Sequence, residues 1–439
     1  MKVLKFGGTS VGSPERMKNV SKLITDGTQQ IVVLSAMSGT TNNLVEIADY
    51  YKKGNADGAS NMIGALEHKY AGVIEGLLAT DTYREKATKI IARECDVVRS
   101  FANKPFNIQA EKMILARGEI MSTNLVQLYH EENNIQSVLL NSLDFMIVDA
   151  DGEPVQVEIE KRLNKVLAQY PNTTLFIAQG FICMNDKNEV DNLKRGGSDY
   201  SASLIGAAIN AEAVEIWTDI DGIHNNDPRI VKNTHPIAEM SFDEAAELAY
   251  FGAKILHPST VLPAKVKNIP VFLKNTMQPQ AQGTKISNKT AGTGVKAIAA
   301  KDGLTAIKIK SGRMLLAYGF LCHVFEIFEK YKTPIDLITT SEVAVSLTID
   351  KIDYLAQIVD ELKTLGTVEV DKDQTIICIV GNMIAEEQGH AAEVLNALKD
   401  IPVRMICYGG SEHNISVLID TENKDKALVA VHENLFGKN

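Results

Sequence analysis

The sequence has little cysteine, no long apolar run and no excess of basic residues. Its five cysteines lie far apart and never form a CxxC pair, which argues against a disulfide framework or structural zinc and fits a reducing cytosol. No apolar stretch approaches the ~20 residues of a membrane span, and the N-terminus lacks the apolar core of a signal peptide. Acidic residues outnumber basic ones, 55 to 45, unlike in a nucleic-acid binder. We therefore expect a cytoplasmic protein without a membrane or nucleic-acid partner.

Alternating strand and helix patterns fill the first two thirds of the 439 residues. The apolar runs 3–6, 31–34, 175–182 and 214–217 are predicted strands, and helical patterns separate them. Strands that are apolar on both faces are typical of a mostly parallel sheet covered by helices on both sides, which is an α/β sandwich. Ligands of such sheets bind beyond the carboxyl ends of the strands, and small and charged residues are concentrated there in this chain.

A second pattern starts near residue 300. Segment 300–371 has the order βαββαβ of a ferredoxin-like module, and 372–439 repeats that order without its last strand, which its sheet would have to borrow. The polar stretch 278–294 has little apolar periodicity and predicts a boundary. We therefore predict three domains, 1–290, 300–371 and 372–439.

A lysine and two glycines lie where the first predicted strand ends: Lys5, Gly7 and Gly8. Glycines let backbone amides approach an anion closely, and the lysine adds a point charge for phosphate oxygens. The string matches neither the P-loop nor the dinucleotide-binding pattern. A phosphate site and a plain tight turn are both compatible with it.

The string LKRGGSD combines glycine and charge at a predicted helix start. Its Arg195 offers a planar fork suited to a carboxylate, whereas Ser198 and Asp199 could simply cap the helix. A charged loop, WTDIDGI followed by DPR, comes after another strand. FGAKILHP ends a helix, and its Gly252 could be an ordinary C-cap.

Glu119 follows Gly118 inside a long helical pattern. A lone helical glutamate is usually solvated, but the neighbouring glycine suggests close approach by another group. The small-residue turn SAMSGTTN, which contains Thr41, follows a strand. Glu119 would suit a substrate ammonium group and Arg195 a substrate carboxylate, with Thr41 as a smaller polar contact.

In this order along the chain, KFGGTS, SAMSGTTN, RGE, LKRGGSD, WTDIDGI and FGAKILHP resemble aspartate kinase of the amino-acid kinase fold. The tail resembles the two regulatory ACT modules of that family. IDLITTSEVA at 335–344 is similar to the monofunctional, lysine-sensitive type, so we expect no fused homoserine dehydrogenase. The resemblance implies a three-layer α/β sandwich with a mostly parallel sheet, followed by two ferredoxin-like βαββαβ modules.

The resemblance also implies ATP-dependent phosphorylation of L-aspartate to 4-phospho-L-aspartate. This is the first step of the diaminopimelate pathway to lysine, threonine and methionine, and Mg²⁺ would bind mainly through the nucleotide phosphates. The implied catalytic residues are Lys5, Asp199 and Lys254, with Asp199 organising the lysines. The implied substrate-binding residues are Thr41, Glu119, Arg195 and Ser198. The implied nucleotide-binding residues are Lys5, Gly7, Gly8, Gly196, Gly197, Thr218, Asp219, His224, Arg229, Lys254 and Ile255, and the family often carries tyrosine at the place of His224.

The tail is expected to bind lysine as an inhibitor between paired ACT modules, within a homodimer or a higher homo-oligomer. Ala317 stands where lysine-sensitive enzymes commonly carry a hydroxyl residue, so we expect weaker inhibition, with threonine as the competing effector. The effector residues implied by the resemblance are Met314, Gly319, Phe320, Leu321, Ile335, Asp336, Ser341 and Glu342.

Two other functions are compatible with parts of the sequence. One is a kinase for another acidic amino acid, such as glutamate or acetylglutamate; the RGGSD and FGAK strings and the paired tail argue against it. The other is a catalytically inactive amino-acid sensor. Such a sensor would not need to keep Lys5, Glu119, Arg195 and Asp199 together.

Overall fold

A computed structural model of the protein describes residues 1–193, 196–252, 256, 258–289, 292, 294–312, 318–382 and 388–437. The chain forms two compact units. The first unit contains Met1–Ile223, Ala238–Phe242 and Leu256–Thr290; the second contains His224–Ile237, Asp243–Ile255 and Ala291–Asn439. The domain boundaries drawn from the sequence stay predictions.

An eight-stranded sheet forms the centre of the first unit. The strand order is β3-β4-β2-β1-β7-β9-β10-β8. Neighbouring strands are parallel except for β9 and β10, so the last two strands of the order run opposite to the other six. A separate hairpin, β5–β6, follows β4. The strands are β1 (Lys2–Phe6), β2 (Gln30–Leu34), β3 (Val138–Leu140), β4 (Leu175–Gln179), β5 (Ile182–Met184), β6 (Val190–Asn192), β7 (Val214–Thr218), β8 (Glu239–Ser241), β9 (Val271–Asn275) and β10 (Thr284–Ser287).

Helices cover this sheet on both faces. Leu4 and Phe6 of β1 join one apolar core with the helices that precede β3, whereas Val3 faces a later helix, at Gly206. The predicted α/β sandwich is therefore confirmed. The helices are α1 (Pro14–Leu23), α2 (Thr40–Lys52), α3 (Ala56–Leu77), α4 (Asp81–Arg99), α5 (Ile108–Leu115), α6 (Arg117–Glu132), α7 (Gln156–Leu167), α8 (Gly197–Ala208) and α10 (Pro258–Val266). The helix between them along the chain, α9 (Phe242–Tyr250), belongs to the second unit from Asp243 onwards.

Two sequence predictions in the first unit were too simple. The long helical pattern 110–132 is broken at Ala116 into α5 and α6. The predicted strand 175–182 is broken after β4, because Gly180 and Phe181 turn the chain and Phe181 has a φ of +66°. Neither break contains proline, and apolar residues continue on both sides of each break.

The second unit contains one six-stranded antiparallel sheet in the order β12-β13-β11-β14-β16-β15. Besides α9, four helices of this unit lie in the described segments: α11 (Phe320–Lys330), α12 (Leu355–Leu362), α13 (His390–Ala397) and α14 (Lys424–Phe436). The strands are β11 (Gly294–Lys310), β12 (Leu337–Thr340), β13 (Ala344–Ile349), β14 (Thr367–Asn382), β15 (Met405–Tyr408) and β16 (Asn414–Asp420).

The strand missing from the second ferredoxin-like module is the first half of β11. Residues 294–301 pair with 376–382 of β14, while 304–310 pair with β13 and with the first half of β14. Each half of the sheet thus has four strands, and β11 and β14 run through both halves. The predicted strand 304–309 is only the second half of this longer element.

None of the helices in the described residues combines the length and the apolar character needed to cross a bilayer.

A buried histidine couples the stability of the first unit to pH. The ring of His130 lies between Ser137 Oγ, 2.9 Å from Nδ1, and Ser21 Oγ, 3.0 Å from Nε2. Burial lowers the pKa of His130 to about 4, whereas an unfolded histidine titrates near ~6.5. Its contribution to stability is therefore full above pH ~6.5 and is lost as the pH falls toward 4, amounting to about 3 kcal/mol at most.

We expect the apparent Tm of the protein to fall more steeply between pH 6.5 and 4.5 than that of His130→Gln. The reason is that only the wild-type unfolded chain gains a proton at this position. Differential scanning fluorimetry across this pH range measures the effect. Parallel curves for the two proteins would contradict the prediction.

Candidate functional site

The glycine turn after β1 is held between the ends of two neighbouring strands. The Gly7 amide donates a hydrogen bond to the Trp217 carbonyl of β7 (3.2 Å), and the Gly8 carbonyl accepts one from the Ser38 amide (3.1 Å). A Cβ at Gly8 would lie 2.9 Å from the Ala36 carbonyl oxygen, so this backbone approach requires glycine. The turn therefore brings backbone amides to the carboxyl end of the sheet.

Lys5, at the end of β1, pairs with the first turn of α8. Its Nζ lies 2.7 Å from Asp199 Oδ1, and the two side chains are 12% and 20% exposed. The ammonium group is also 3.4 Å from the place of a Cβ on Gly7. A partly accessible cation therefore stands at the glycine turn, held by one carboxylate.

The first turn of α8 is built on two glycines and has no side-chain cap. Gly196 is the N-cap with a φ of +71° and Gly197 has a φ of +45°. A Cβ on Gly196 would lie 1.7 Å from Thr260 Cγ2. The capping alternative for Ser198 and Asp199 is therefore wrong: Ser198 Oγ accepts a hydrogen bond from Ser35 Oγ (2.9 Å), and Asp199 pairs with Lys5.

Glu119 lies buried in the first turn of α6. Its Oε1 accepts a hydrogen bond from the Ala36 amide (3.3 Å), and its Oε2 has no hydrogen-bond partner within the described part of the chain. Burial raises the pKa of Glu119 to about 7, against the opposing effect of the Lys5 charge. A Cβ on Gly118 would lie 2.8 Å from that of Ala36, so the glycine permits the close approach that its position in the sequence suggested. The solvated-surface alternative for Glu119 is wrong.

Ser35, Ser122 and Gly180 complete this cluster; Ser35 opens the SAMSGTTN turn, but none of the three is among the site residues predicted from the sequence. Ser35 bonds Ser198, and its carbonyl accepts a hydrogen bond from Ser122 Oγ (2.8 Å). A Cβ on Gly180 would lie 2.3 Å from Ser198 Oγ. Ser35 and Gly180 each follow directly after a parallel strand, and that position is the signal that could have identified them.

Other predicted residues of the first unit lie near the ends of their elements. Thr41 is exposed in the first turn of α2. Thr218, the last residue of β7, donates its hydroxyl hydrogen bond to Asp219 Oδ1 (3.1 Å) and accepts one at its carbonyl from the Thr276 amide (2.8 Å). Thr276 also shares a 2.7 Å hydrogen bond with Ser10, next to the glycine turn.

Among the described residues, two of the predicted nucleotide contacts belong to the second unit. His224 Nδ1 is 2.9 Å from Thr234 Oγ1. Arg229 is 86% exposed and pairs with Asp227 at 2.6 Å. Three further predicted residues lie outside the described residues: Arg195, Lys254 and Ile255.

The predicted effector residues in the described segments lie at the start of α11, just before β12, and between β12 and β13. Gly319, with a φ of +82°, caps α11, Phe320 is buried and Leu321 is 37% exposed. Ile335 is partly buried, and Ser341 and Glu342 are exposed. Met314 and Ala317 lie outside the described residues.

Asp336 already has an internal counter-ion in the second unit. Its side chain is 2% exposed, and its Oδ1 lies 2.6 Å from Lys301 Nζ. Lys301 also contacts Asp350 Oδ2 at 3.1 Å. Tyr250, the last residue of α9, donates its hydroxyl hydrogen bond to Asp336 Oδ1 (3.0 Å). The sequence did not indicate this cluster, because its members are far apart along the chain.

Comparisons with known proteins agree with this architecture. Residues 1–275 match the amino acid kinase family, and residues 377–435 match the ACT domain. The chain is 34% identical to lysine-sensitive aspartokinase 3 of Escherichia coli, over 99% of both chains. It is 32% identical to chloroplastic aspartokinase 3 of Arabidopsis thaliana, over 99% of this chain and 81% of the relative.

Solved structures are similar over the whole length. E. coli aspartokinase III in complex with aspartate and ADP, in its R-state, matches with a TM-score of 0.85 at 34% identity, over 99% of this chain and 100% of that chain. The same enzyme in complex with lysine and aspartate, in its T-state, matches with a TM-score of 0.80, over 99% of each chain. The predicted amino-acid kinase fold with C-terminal ACT modules is confirmed, and the chain belongs to the aspartokinases of the amino acid kinase family.

Proposed function

We propose that the protein transfers the γ-phosphoryl group of ATP to the side-chain carboxylate of L-aspartate, forming 4-phospho-L-aspartate. This reaction opens the diaminopimelate pathway to lysine, threonine and methionine. The observation that carries the proposal is the juxtaposition at the carboxyl ends of β1 and β2. There a lysine–aspartate pair lies at a glycine turn. Two consecutive residues after β2 connect that site to the buried Glu119: Ser35 bonds Ser198, and the Ala36 amide bonds Glu119.

The reaction needs positive charge more than it needs a base. An aspartate side chain has a pKa of ~3.9 and is ionised at neutral pH, so the difficulty is to bring it to an anionic γ-phosphate. Lys5 supplies a cation for the phosphate oxygens, and Asp199 keeps its ammonium group at the turn. The Gly8 amide and the positive end of α8 add further stabilisation.

We propose the remaining nucleotide contacts from the family pattern. When bound, Mg²⁺ neutralises phosphate charge. Within the described residues no cluster of three acidic, histidine or cysteine side chains could hold a metal, which is compatible with an ion that arrives with the phosphates. The proposed nucleotide contacts are Lys5, Gly7, Gly8, Gly196, Gly197, Thr218, Asp219, His224, Arg229, Lys254 and Ile255.

The amino-acid substrate carries an ammonium group and a carboxylate at its α-carbon. We assign the ammonium to Glu119, whose Oε2 is buried without a hydrogen-bond partner in the described part of the chain. We assign the α-carboxylate to Arg195, because its fork can donate two parallel hydrogen bonds. Ser198 and Thr41 are the smaller polar contacts.

The titration of Glu119 predicts a pH dependence for aspartate use. Burial raises the pKa of this carboxyl to about 7, so the group is increasingly protonated below pH 7 and loses the charge that attracts an ammonium. We expect kcat/KM for aspartate to fall below pH 7 in the wild type and to be low and nearly flat in Glu119→Gln. Initial rates from pH 5.5 to 8.5 measure this. A wild-type profile without a group titrating near 7 would contradict the assignment.

A coupled assay of ADP release tests the proposed function directly. We expect turnover with aspartate and little or none with glutamate or acetylglutamate. Preferred turnover of another acceptor would assign the protein to a different amino-acid kinase. Absence of turnover with all three, together with tight lysine binding, would favour the sensor.

We propose that lysine inhibits the enzyme through the second unit, at Met314, Gly319, Phe320, Leu321, Ile335, Asp336, Ser341 and Glu342. The outer strands of the sheet, β12 and β15, approach each other within the chain. We also propose a homodimer or a higher homo-oligomer, as the family resemblance implies. Sedimentation of the full chain tests the oligomeric state.

We retain 1–290, 300–371 and 372–439 as the proposed domain boundaries.

A further inference from the structure

The first turn of α6 carries three consecutive residues that make specific contacts: Gly118 and Glu119 with Ala36, and Arg117 with Glu94. Successive helical positions are 100° apart, so Arg117 and Glu119 project to nearly opposite sides. Gly118 lies against Ala36, and Glu119 bonds the Ala36 amide. The direction of the Glu119 carboxylate therefore depends on how α6 is rotated about its own axis.

Arg117 ties the opposite side of this turn to α4. Its Nη1 lies 3.0 Å from Glu94 Oε2, and the two side chains are only 10% and 4% exposed. Its Nε donates a hydrogen bond to the Met113 carbonyl of α5 (2.9 Å), across the break at Ala116. Ala116, the N-cap of α6, makes no side-chain capping bond to the described residues, so this buried pair and the Glu119–Ala36 hydrogen bond hold the helix start on its two sides.

The other carboxylate oxygen of Glu94 pairs with an arginine at the protein surface. Arg93 Nη2 lies 2.9 Å from Glu94 Oε1, and the Arg93 side chain is 65% exposed. Glu94 thus forms one ion pair with a buried arginine and one with an exposed arginine. Removal of a buried partner leaves an uncompensated charge, whereas loss of an exposed one is compensated by water.

We propose that Glu94 and Arg117 form a positioning pair that sets the rotation of α6 and so aims the Glu119 carboxylate at the ammonium group of the amino-acid substrate. This rests on the proposed role of Glu119. The pair does not touch the substrate; it acts through Glu119. Its loss should therefore affect aspartate binding and leave nucleotide binding almost unchanged.

The test compares Arg117→Lys, Glu94→Gln and the double variant Glu94→Gln/Arg117→Gln with the control Arg93→Gln. We expect KM for aspartate to rise about fivefold to twentyfold in the first three, with KM for ATP within twofold of wild type. The apparent pKa seen in kcat/KM for aspartate should also shift away from its wild-type value. Arg93→Gln should behave as wild type. The double variant leaves no unpaired buried charge, so its KM values can be used in place of those of a single variant that fails to fold.

A purely structural pair would lower Tm and the active fraction without moving KM or the pH profile, and that result would overturn the inference. An equal rise of KM in Arg93→Gln would overturn it too. The proposed function is tested separately, by aspartate turnover in the wild type and by Glu119→Gln. The wild type and Glu119→Gln could both behave as proposed while the Arg117 and Glu94 variants keep the wild-type KM for aspartate. In that case only the positioning role of the pair would be wrong.

Discussion

Replacing Lys5 with alanine is expected to lower kcat at least a hundredfold. Lys5 is the cation at the first glycine turn, where its ammonium group lies 2.7 Å from Asp199 and remains partly accessible. Removing one donor that stabilises transition-state charge typically costs a hundredfold to a thousandfold, or about 3–4 kcal/mol. The measurement is steady-state ADP release at saturating aspartate and ATP.

Two further variants make the result interpretable. Lys2→Ala removes a lysine from the same strand, one that pairs with Glu215 and is 43% exposed, and it should retain normal kcat. Lys5→Ala/Asp199→Asn removes the carboxylate that would otherwise be left unpaired and would repel phosphate; it should remain severely impaired. Near-normal turnover in a folded Lys5→Ala protein would remove the catalytic assignment.

Asp336→Asn and Lys301→Met should change lysine inhibition in opposite directions. The Asp336 carboxylate is proposed to meet an effector ammonium group, yet the Lys301 ammonium already occupies it at 2.6 Å. Loss of a hydrogen bond to a charged group costs about 1.5–3 kcal/mol, so Asp336→Asn should raise the half-inhibitory lysine concentration at least tenfold. Lys301→Met removes the internal competitor and should lower that concentration several-fold.

Inhibition curves at fixed aspartate measure both changes, with calorimetric lysine binding as a second readout. Lys310→Met is the matched control, because this lysine lies on the same strand and pairs with Glu369 at an exposed site. A Lys301→Met protein that no longer responds to lysine would show that Lys301 supports the effector rather than competing with it. Inhibition by threonine instead of lysine would reassign the effector.

The site was predictable where its signal is local. Lys5, Gly7 and Gly8 follow one another at a strand end, and Gly118 precedes Glu119, so spacing alone marks them. The roles of Ser198 and Asp199 were not predictable, because a serine or aspartate at a helix start is equally typical of a cap. Only the Ser35–Ser198 and Lys5–Asp199 distances distinguish a site residue from a cap.

The parts of the fold that escaped prediction depend on contacts distant in sequence. Ala116 breaks a helix without glycine or proline, because Gly118 packs against Ala36 and Arg117 reaches Glu94 on another helix. Residues 294–301 form a strand although they adjoin a polar stretch, because an unpaired edge of β14 is available to them. Their partner lies some eighty positions later, beyond the reach of any local pattern.

The long strands β11 and β14 also determine how the second unit can unfold. Since each strand passes through both ferredoxin-like halves, neither half can be excised by a single cut without removing a strand from the other. The backbone amides along both strands therefore belong to one cooperative opening unit. In hydrogen–deuterium exchange their protection should be lost together, so that the two sequence repeats unfold as a single body.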